Sequence, residues 1–313
     1  MKKSLIALLL ISTSTFAQID TRKAADAAKE KMTTTGEMKE GWTKGGVLSI
    51  NLNHTSNDSW TGASQKYNVA INGSFNYFAY KKWDKNLWKN DVLLAYGMNR
   101  NEASFDLFQK NDDRLVLSSM FARKIKKSLY AAAALDINTQ VAPGYNYDSI
   151  TKANAEGKPT AFKKTSNFLS PGAIRLGIGV LYQPKSNLSA YFSPLTMNMY
   201  TKLDKAFLNT SLNAVEAGEK VNIGLGSLLK IDYFTTINKT FTYKTSFAAF
   251  TDYLNRPMDK IDLDWTNSLM FNATKYIGVK FDLNFRYYEG QNPLAPYKIQ
   301  VLEMLGVGFA YKF

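Results

Sequence analysis

From residue 67 to residue 80 the chain reads YNVAINGSFNYFAY, and its apolar side chains fall on every second position. Tyr67, Val69, Ile71, Phe75 and Tyr77 point to one side, Asn68, Asn72, Ser74 and Asn76 to the other. A period of two is the geometry of a β-strand, whose successive side chains leave opposite faces. The stretch IGVKFDLNFRYY (277–288) repeats the design with Lys280, Asp282, Asn284 and Arg286 on the polar side. Charges at alternate positions are incompatible with a dry core, so the polar face of this sheet must meet water.

About twelve such segments follow one another, near residues 46–54, 66–80, 87–99, 114–123, 128–141, 172–183, 188–200, 220–233, 241–252, 261–274, 276–288 and 299–313. Each runs to roughly 10–14 residues, against about 5–6 for an ordinary globular strand. At about 3.3 Å per residue and a tilt near 40°, roughly eleven residues rise close to 28 Å, the height of the apolar band of a membrane barrel. The connections alternate. Those near residues 81–86, 124–127, 184–187, 234–240 and 275 are tight, and those near 55–65, 100–113, 142–171, 201–219, 253–260 and 289–298 are long. The pattern predicts an all-β chain: a transmembrane up-and-down antiparallel β-barrel of about twelve strands, with both termini on the short-turn, periplasmic side.

The N-terminus fits export. Met1, Lys2 and Lys3 are followed by an apolar run from Leu5 to Ile11 and by small residues ending at Ala17, the pattern of a signal peptide over residues 1–17. Residues 18–44 form a polar lead with a weak helix candidate, TRKAADAAKEKM, which either plugs the barrel or lies in the periplasm; residues 45–313 form the barrel. There is no cysteine, which excludes disulfides, thiolate metal sites and cysteine nucleophiles. The formal charge of +13, about +11 without Lys2 and Lys3, points to an anionic partner of some kind.

Charge placement identifies that partner class. The short turns collect Lys81, Lys82, Lys85, Arg123, Lys124, Lys126, Lys127, Lys185, Lys239 and Lys275 against Asp84, whereas the long loops are close to neutral. A basic collar at one rim suits anionic lipid headgroups of the outer membrane, or an acidic envelope protein, better than nucleic acid. Inward positions carry Asp91, Asp136, Arg175, Lys230, Asp232, Lys244, Asp252, Asp262, Asp264, Lys280, Asp282 and Arg286, both signs in similar number. That mixture reads as a paired network stiffening the interior, or as the lining of a weakly selective pore. Asp262 and Asp264 also invite a cation. One histidine, His54, serves the whole chain, and its neighbours Thr55, Ser56 and Ser59 on the same strand end do not form a relay of the lipase kind. No catalytic residue, cofactor site or metal site is expected.

Several words resemble a family of exported β-barrels of Bacteroidota catalogued as a domain of unknown function, number 3078. They are TQVAPGYNYD (139–148), FLSPGAIRLGIGVLYQPKSNLSAYFSPLT (168–196), VEAGEKVNIGLGSLLK (215–230) and DYLNRPMDKIDLDWTNSLMFNATKYIGV (252–279). The stretch NDSWTGAS (57–64) is similar to the family's first loop but carries Ala63 and Ser64 where a second glycine often stands. The resemblance implies an outer-membrane barrel and brings no catalytic residue with it. The functions compatible with the sequence are a narrow passive pore, a non-conducting accessory barrel in an envelope assembly and, against the single histidine, a lipid hydrolase.

The last strand, GVGFAYKF, places Val307, Phe309, Tyr311 and Phe313 on the lipid-facing beat. A terminal aromatic in that phase resembles the signal read by the barrel-assembly machinery. Deleting Phe313 is expected to lower the amount of inserted protein, measured by surface labelling, while leaving the inserted fraction normally folded; unchanged surface levels would refute the assignment.

Overall fold

The computed structural model describes residues 40–56, 67–101, 107–153, 159–185, 187–212, 215–238, 240–254, 261–272, 277–287, 299–309 and 311–312. The signal peptide (1–17), the lead up to residue 39 and Phe313 lie outside the described residues. Fifteen strands form in chain order. β1 (Gly41–Ser56), β2 (Tyr67–Trp83), β3 (Asn86–Asn101), β4 (Gln109–Lys126) and β5 (Leu129–Thr139) are followed by a small hairpin, β6 (Gly144–Ala153) and β7 (Pro159–Ser166). Then come β8 (Gly172–Lys185), β9 (Leu188–Thr201), β10 (Val221–Thr236), β11 (Phe241–Asp252), β12 (Ile261–Asn272), β13 (Ile277–Tyr287), β14 (Gln300–Phe309) and β15 (Tyr311–Lys312).

One sheet contains all of them except the hairpin, in the order β14-β13-β12-β11-β10-β9-β8-β5-β4-β3-β2-β1-β15. A single residue separates β14 from β15, so the two are one interrupted strand that appears at both ends of that order. The sheet therefore closes on itself as a twelve-stranded antiparallel barrel. Closure is made by β15 on β1, through the partners Val47↔Lys312 and Leu48↔Tyr311. β1 starts at Gly41, four residues before the boundary expected at residue 45, because Gly41 to Lys44 already pair with Lys82 to Ala79.

The wall obeys the expected alternation. Outward Leu48, Ile71, Phe75, Leu94, Leu176, Ile178, Phe192 and Trp265 are exposed, whereas Asn72 and Ser74, between Ile71 and Phe75, are buried toward the interior. An exposed apolar belt around a polar inside is the reverse of a water-soluble domain and the pattern of a barrel in lipid. Several strands exceed the expected length, β4 reaching 18 residues, since they continue past the belt into the long-loop end. At the short-turn end Asp84 takes a φ of 49°, the left-handed conformation required where only Asp84 and Lys85 separate β2 from β3.

Two features depart from a plain barrel. Residues 142–171, expected as a long connection, contain the hairpin β6–β7, which pairs only with itself. The wall also carries a bulge at Pro194: register shifts fall between Ile178 and Val180 on β8 and between Gly226 and Leu228 on β10. Proline has no N–H to give a neighbour, so a central strand holding one must skip a pair. Ser193 Oγ lies 3.0 Å from the Ile178 carbonyl oxygen and 2.9 Å from that of Leu195, and Thr196 Oγ1 donates to it at 2.7 Å. The FSPLT word is thus a self-sealed irregularity in the wall. Beside it, a Cβ at Gly226 would overlap the Thr251 carbonyl oxygen and stand 2.9 Å from the Phe250 ring. Gly226→Val is expected to cost about 1–3 kcal/mol of overpacking, seen as a lower temperature for conversion of the folded to the unfolded gel band; an unchanged midpoint would contradict the packing described.

Candidate functional site

Because side chains alternate in and out, the register fixes which inward residues become neighbours. Asp91, Ser118, Asp136, Arg175 and Asn198 are successive ladder partners across β3, β4, β5, β8 and β9. Lys230, Ala248, Asp264, Arg286 and Gln300 make a second row across β10 to β14. Between the rows lies a cavity of about 1310 Å³. Its lining reaches from Lys89, Gln183, Asn187 and Phe234 near the short turns to Arg114, Asn138, Tyr200 and Gln300 toward the long loops.

Among the described residues, six carboxylates (Asp91, Asp112, Asp136, Asp232, Asp264, Asp282) and six cations (Lys89, Arg114, Arg175, Lys230, Lys244, Arg286) face this space. Of the twelve residues expected in the lumen, nine line it. Asp252 does not: it is buried, and its Oδ1 accepts the Leu254 N–H at 2.9 Å, closing the turn after β11. Asp262 is likewise absent from the lining, and the Lys280 side chain lies outside the described residues. Of the suggested cation pair, Asp264 lines this space and Asp262 does not. Asp264 Oδ1 instead accepts Arg286 Nε at 2.9 Å, and no cluster of three metal-ligating residues occurs among the described residues.

Hydroxyls hold the acids as often as cations do. Tyr80 donates to Asp91 at 2.8 Å, Ser118 to Asp136 at 2.6 Å, Ser246 to Asp232 at 2.7 Å, and Ser268 to Asp282. In each case the donor sits on an adjacent strand: Ser118, Ser246 and Ser268 are the direct ladder partners of their acids, and Tyr80 is diagonal to Asp91. Arg114 engages Asp112 through two bonds of 2.9 Å, and Lys230 stands 3.9 Å from Asp232. Arg175 lays its guanidinium 5.5 Å from the Phe250 ring centre and gives Nε to Asn198 Oδ1 at 2.8 Å. Leu87, Ala122, Ala132, Leu181, Tyr191, Leu228 and Phe250 form an apolar cluster along the same half of the wall. The interior therefore combines a fixed, charge-balanced polar lattice with an apolar strip.

At the long-loop end two buried lysines tie the exterior down, and neither was visible in the sequence. Lys110 Nζ donates to Asp113 at 2.8 Å and to the Ala142 carbonyl at 2.8 Å, while Asp113 accepts the Val141 and Ala142 N–H groups at 2.8 and 2.9 Å. The segment entering β6 is thereby clamped to β4. Lys202, almost fully buried, donates to the Thr210 and Glu216 carbonyls at 2.6 and 2.8 Å and so organises the loop between β9 and β10. Asp204 joins loop and hairpin, accepting Ala206 N–H, Lys164 Nζ and Asn167 Nδ2 at 2.9, 2.9 and 2.7 Å. Nothing in the sequence marks this crown, since buried loop contacts leave no periodic trace.

Of the short-turn collar, Lys81 stands 5.5 Å from the Trp42 ring centre and 5.1 Å from that of Trp83. Lys82 lies 3.7 Å from Glu40, and Lys124, Lys126, Lys127 and Lys185 are exposed. His54 pairs through its backbone with Val69; its side chain lies outside the described residues. The same holds for the side chains of Val307, Phe309 and Tyr311, whose backbones pair with Val279, Ile277 and Leu48.

The Ala206 N–H, then Lys164 and Asn167, hold the Asp204 carboxyl down at about 2, below its ordinary 3.8. A depressed carboxylate stabilises above its unfolded pKa and loses that contribution as pH falls through its folded one. Protection of the Ala206 amide, corrected for intrinsic exchange, is expected to persist at pH 3, to fall near pH 2, and to be absent at both in Asp204→Ala. Loss of protection already at pH 4 would contradict it.

Comparison with solved structures gives matches at low identity. An outer membrane channel from Pseudomonas putida F1 is 9% identical over 89% of this chain and 97% of its own, with a TM-score of 0.41. The NanC porin is 9% identical over 85% and 98%, at 0.38, and the CymD monoaromatic hydrocarbon channel 8% identical over 92% and 92%, at 0.38. No curated protein matches the chain. Residues 50–145 match the family model described as "Protein of unknown function (DUF3078)", the family that the sequence resembles.

Proposed function

We propose that the protein is an outer-membrane barrel whose lumen works as a narrow, weakly selective passive pore for small polar solutes. The observation that carries this reading is the continuous lining of one cavity from residues beside the short turns to residues at the long-loop end, with equal numbers of fixed positive and negative groups. A filled barrel would have its interior acids and bases closed on one another across the axis. Asp91 with Tyr80, Asp136 with Ser118 and Asp264 with Arg286 join adjacent strands, and the cavity stays open although Lys89 Nζ reaches Gln183 Oε1 at 3.3 Å from β3 to β8 and Arg175 reaches the Phe250 ring from β8 to β11. Fixed charges of both signs lower the barrier for either sign of mobile ion and favour neither.

β1 begins at the short-turn end, and β15 runs toward that end from partners midway along β1, which supports a periplasmic position for both ends of the barrel. Lys81, Lys82, Lys124, Lys126, Lys127 and Lys185 then face the inner leaflet and the periplasm, and the crown of β6–β7 faces outward. Val307, Phe309, Tyr311 and Phe313 serve as the assembly signal in this scheme, and residues 1–17 as the export signal.

Purified protein in a planar bilayer is expected to give steady conductance with a reversal potential near zero in a salt gradient. Lys244→Glu leaves the carboxylates in excess and should move that potential toward cation selectivity. A silent bilayer with correctly folded protein would replace the pore by a non-conducting accessory barrel.

A further inference from the structure

We infer that the outer wall of β1–β4 at the short-turn rim is a binding site for an anionic phospholipid of the adjoining leaflet. The register builds it. Trp42, Lys81, Trp88 and Phe121 are successive ladder partners on the outward face, forming one row across four strands. Trp42 and Trp88 lie 6.1 Å apart between ring centres, as do Trp83 and Phe121, and Lys81 stands between Trp42 and Trp83. Tryptophan with lysine at a barrel rim is where hydrocarbon gives way to headgroups.

The next row toward the membrane centre gives the site its chemistry. Its outward members are Lys44, Ala79, Asn90 and Ser119. Lys44 Nζ lies 5.0 Å from the Trp42 ring centre, Trp88 Nε1 donates to Ser119 Oγ at 3.0 Å, and that hydroxyl donates to Asn90 Oδ1 at 2.8 Å. A polar row one step inside the tryptophans, facing lipid, is unfavourable in hydrocarbon and suits a headgroup drawn in to meet it. Ala79, flanked by Lys44 and Asn90, has the smallest side chain of the row, and a phosphate would sit there. No carboxylate occupies an outward position of these four strands from Trp42, Trp83, Asn86 and Arg123 up to Leu48, Phe75, Leu94 and Leu115, so the patch is purely cationic. Leu48, Phe75, Leu94 and Leu115 form a single ladder row two steps further in, where acyl chains would lie. An acidic periplasmic protein would satisfy the lysines but not this apolar continuation. The site rests on the barrel's position in a membrane and is independent of conduction.

Folded protein in mixed micelles is titrated with brominated phosphatidylglycerol or brominated phosphatidylcholine, and tryptophan quenching is recorded. Quenching is expected at lower concentrations of the anionic lipid by roughly thirtyfold, the equivalent of about 1 kcal/mol for each of the two lysines. Lys44→Gln with Lys81→Gln should abolish most of that preference, whereas Lys126→Gln with Lys127→Gln, away from the tryptophan rows, should not. Equal quenching of the wild-type protein by both lipids overturns the assignment whether or not the variants fold. So does a preference that survives the first pair, or that is lost only with the second.

Discussion

A peptide group in hydrocarbon finds no hydrogen-bond partner except another peptide group, and each one left open costs several kcal/mol. Every strand of a sheet in lipid must therefore have two neighbours. In this chain that demand converges on one contact, the pairing of Tyr311 and Lys312 with Leu48 and Val47. Closure by the first and last strands fixes the even strand count and places both barrel ends on the short-turn side. Strict alternation along the strands then makes every second residue a lumen residue. The cavity, the charge rows and the outer lipid-facing rows are all consequences of that closed ladder.

What the sequence makes legible is whatever repeats with the strand period. The segments 66–80 and 277–288 announce their two faces, and the tight turns and long loops between strands give the parity. Inward placement of Asp91, Asp136 and Arg175 follows from the same beat. Less legible is anything depending on which rung meets which. That Asp264 lies opposite Arg286, and that Trp42, Lys81, Trp88 and Phe121 share a row, depend on register across strands far apart in sequence. Asp252 and Asp262 carry the inward phase yet stand at strand ends, where the wall becomes loop and phase no longer decides what a side chain faces. The crown escaped for another reason: Lys110, Asp113 and Lys202 bind backbone carbonyls and amides, and such contacts need no pattern in the chain.

The interior also shows how a barrel tolerates many charges without filling itself. A carboxylate held by a serine or tyrosine hydroxyl on an adjacent strand is oriented without being neutralised. Asp136 with Ser118 and Asp232 with Ser246 are fixed in this way. Lys230 stands beside Asp232 at 3.9 Å, and the guanidinium of Arg175, opposite Asp136, is steadied on the Phe250 ring.

The hairpin β6–β7 shares no ladder with the wall and is attached to it by side chains, chiefly Lys110, Asp113 and the Lys164–Asp204 bridge. Its length is thus decoupled from strand number and stagger, the two quantities that set a barrel's diameter. Residues can be gained, lost or exchanged at its tip without retuning the membrane-embedded part. The long-loop face of the molecule is accordingly free to diverge, while the barrel beneath it keeps its diameter.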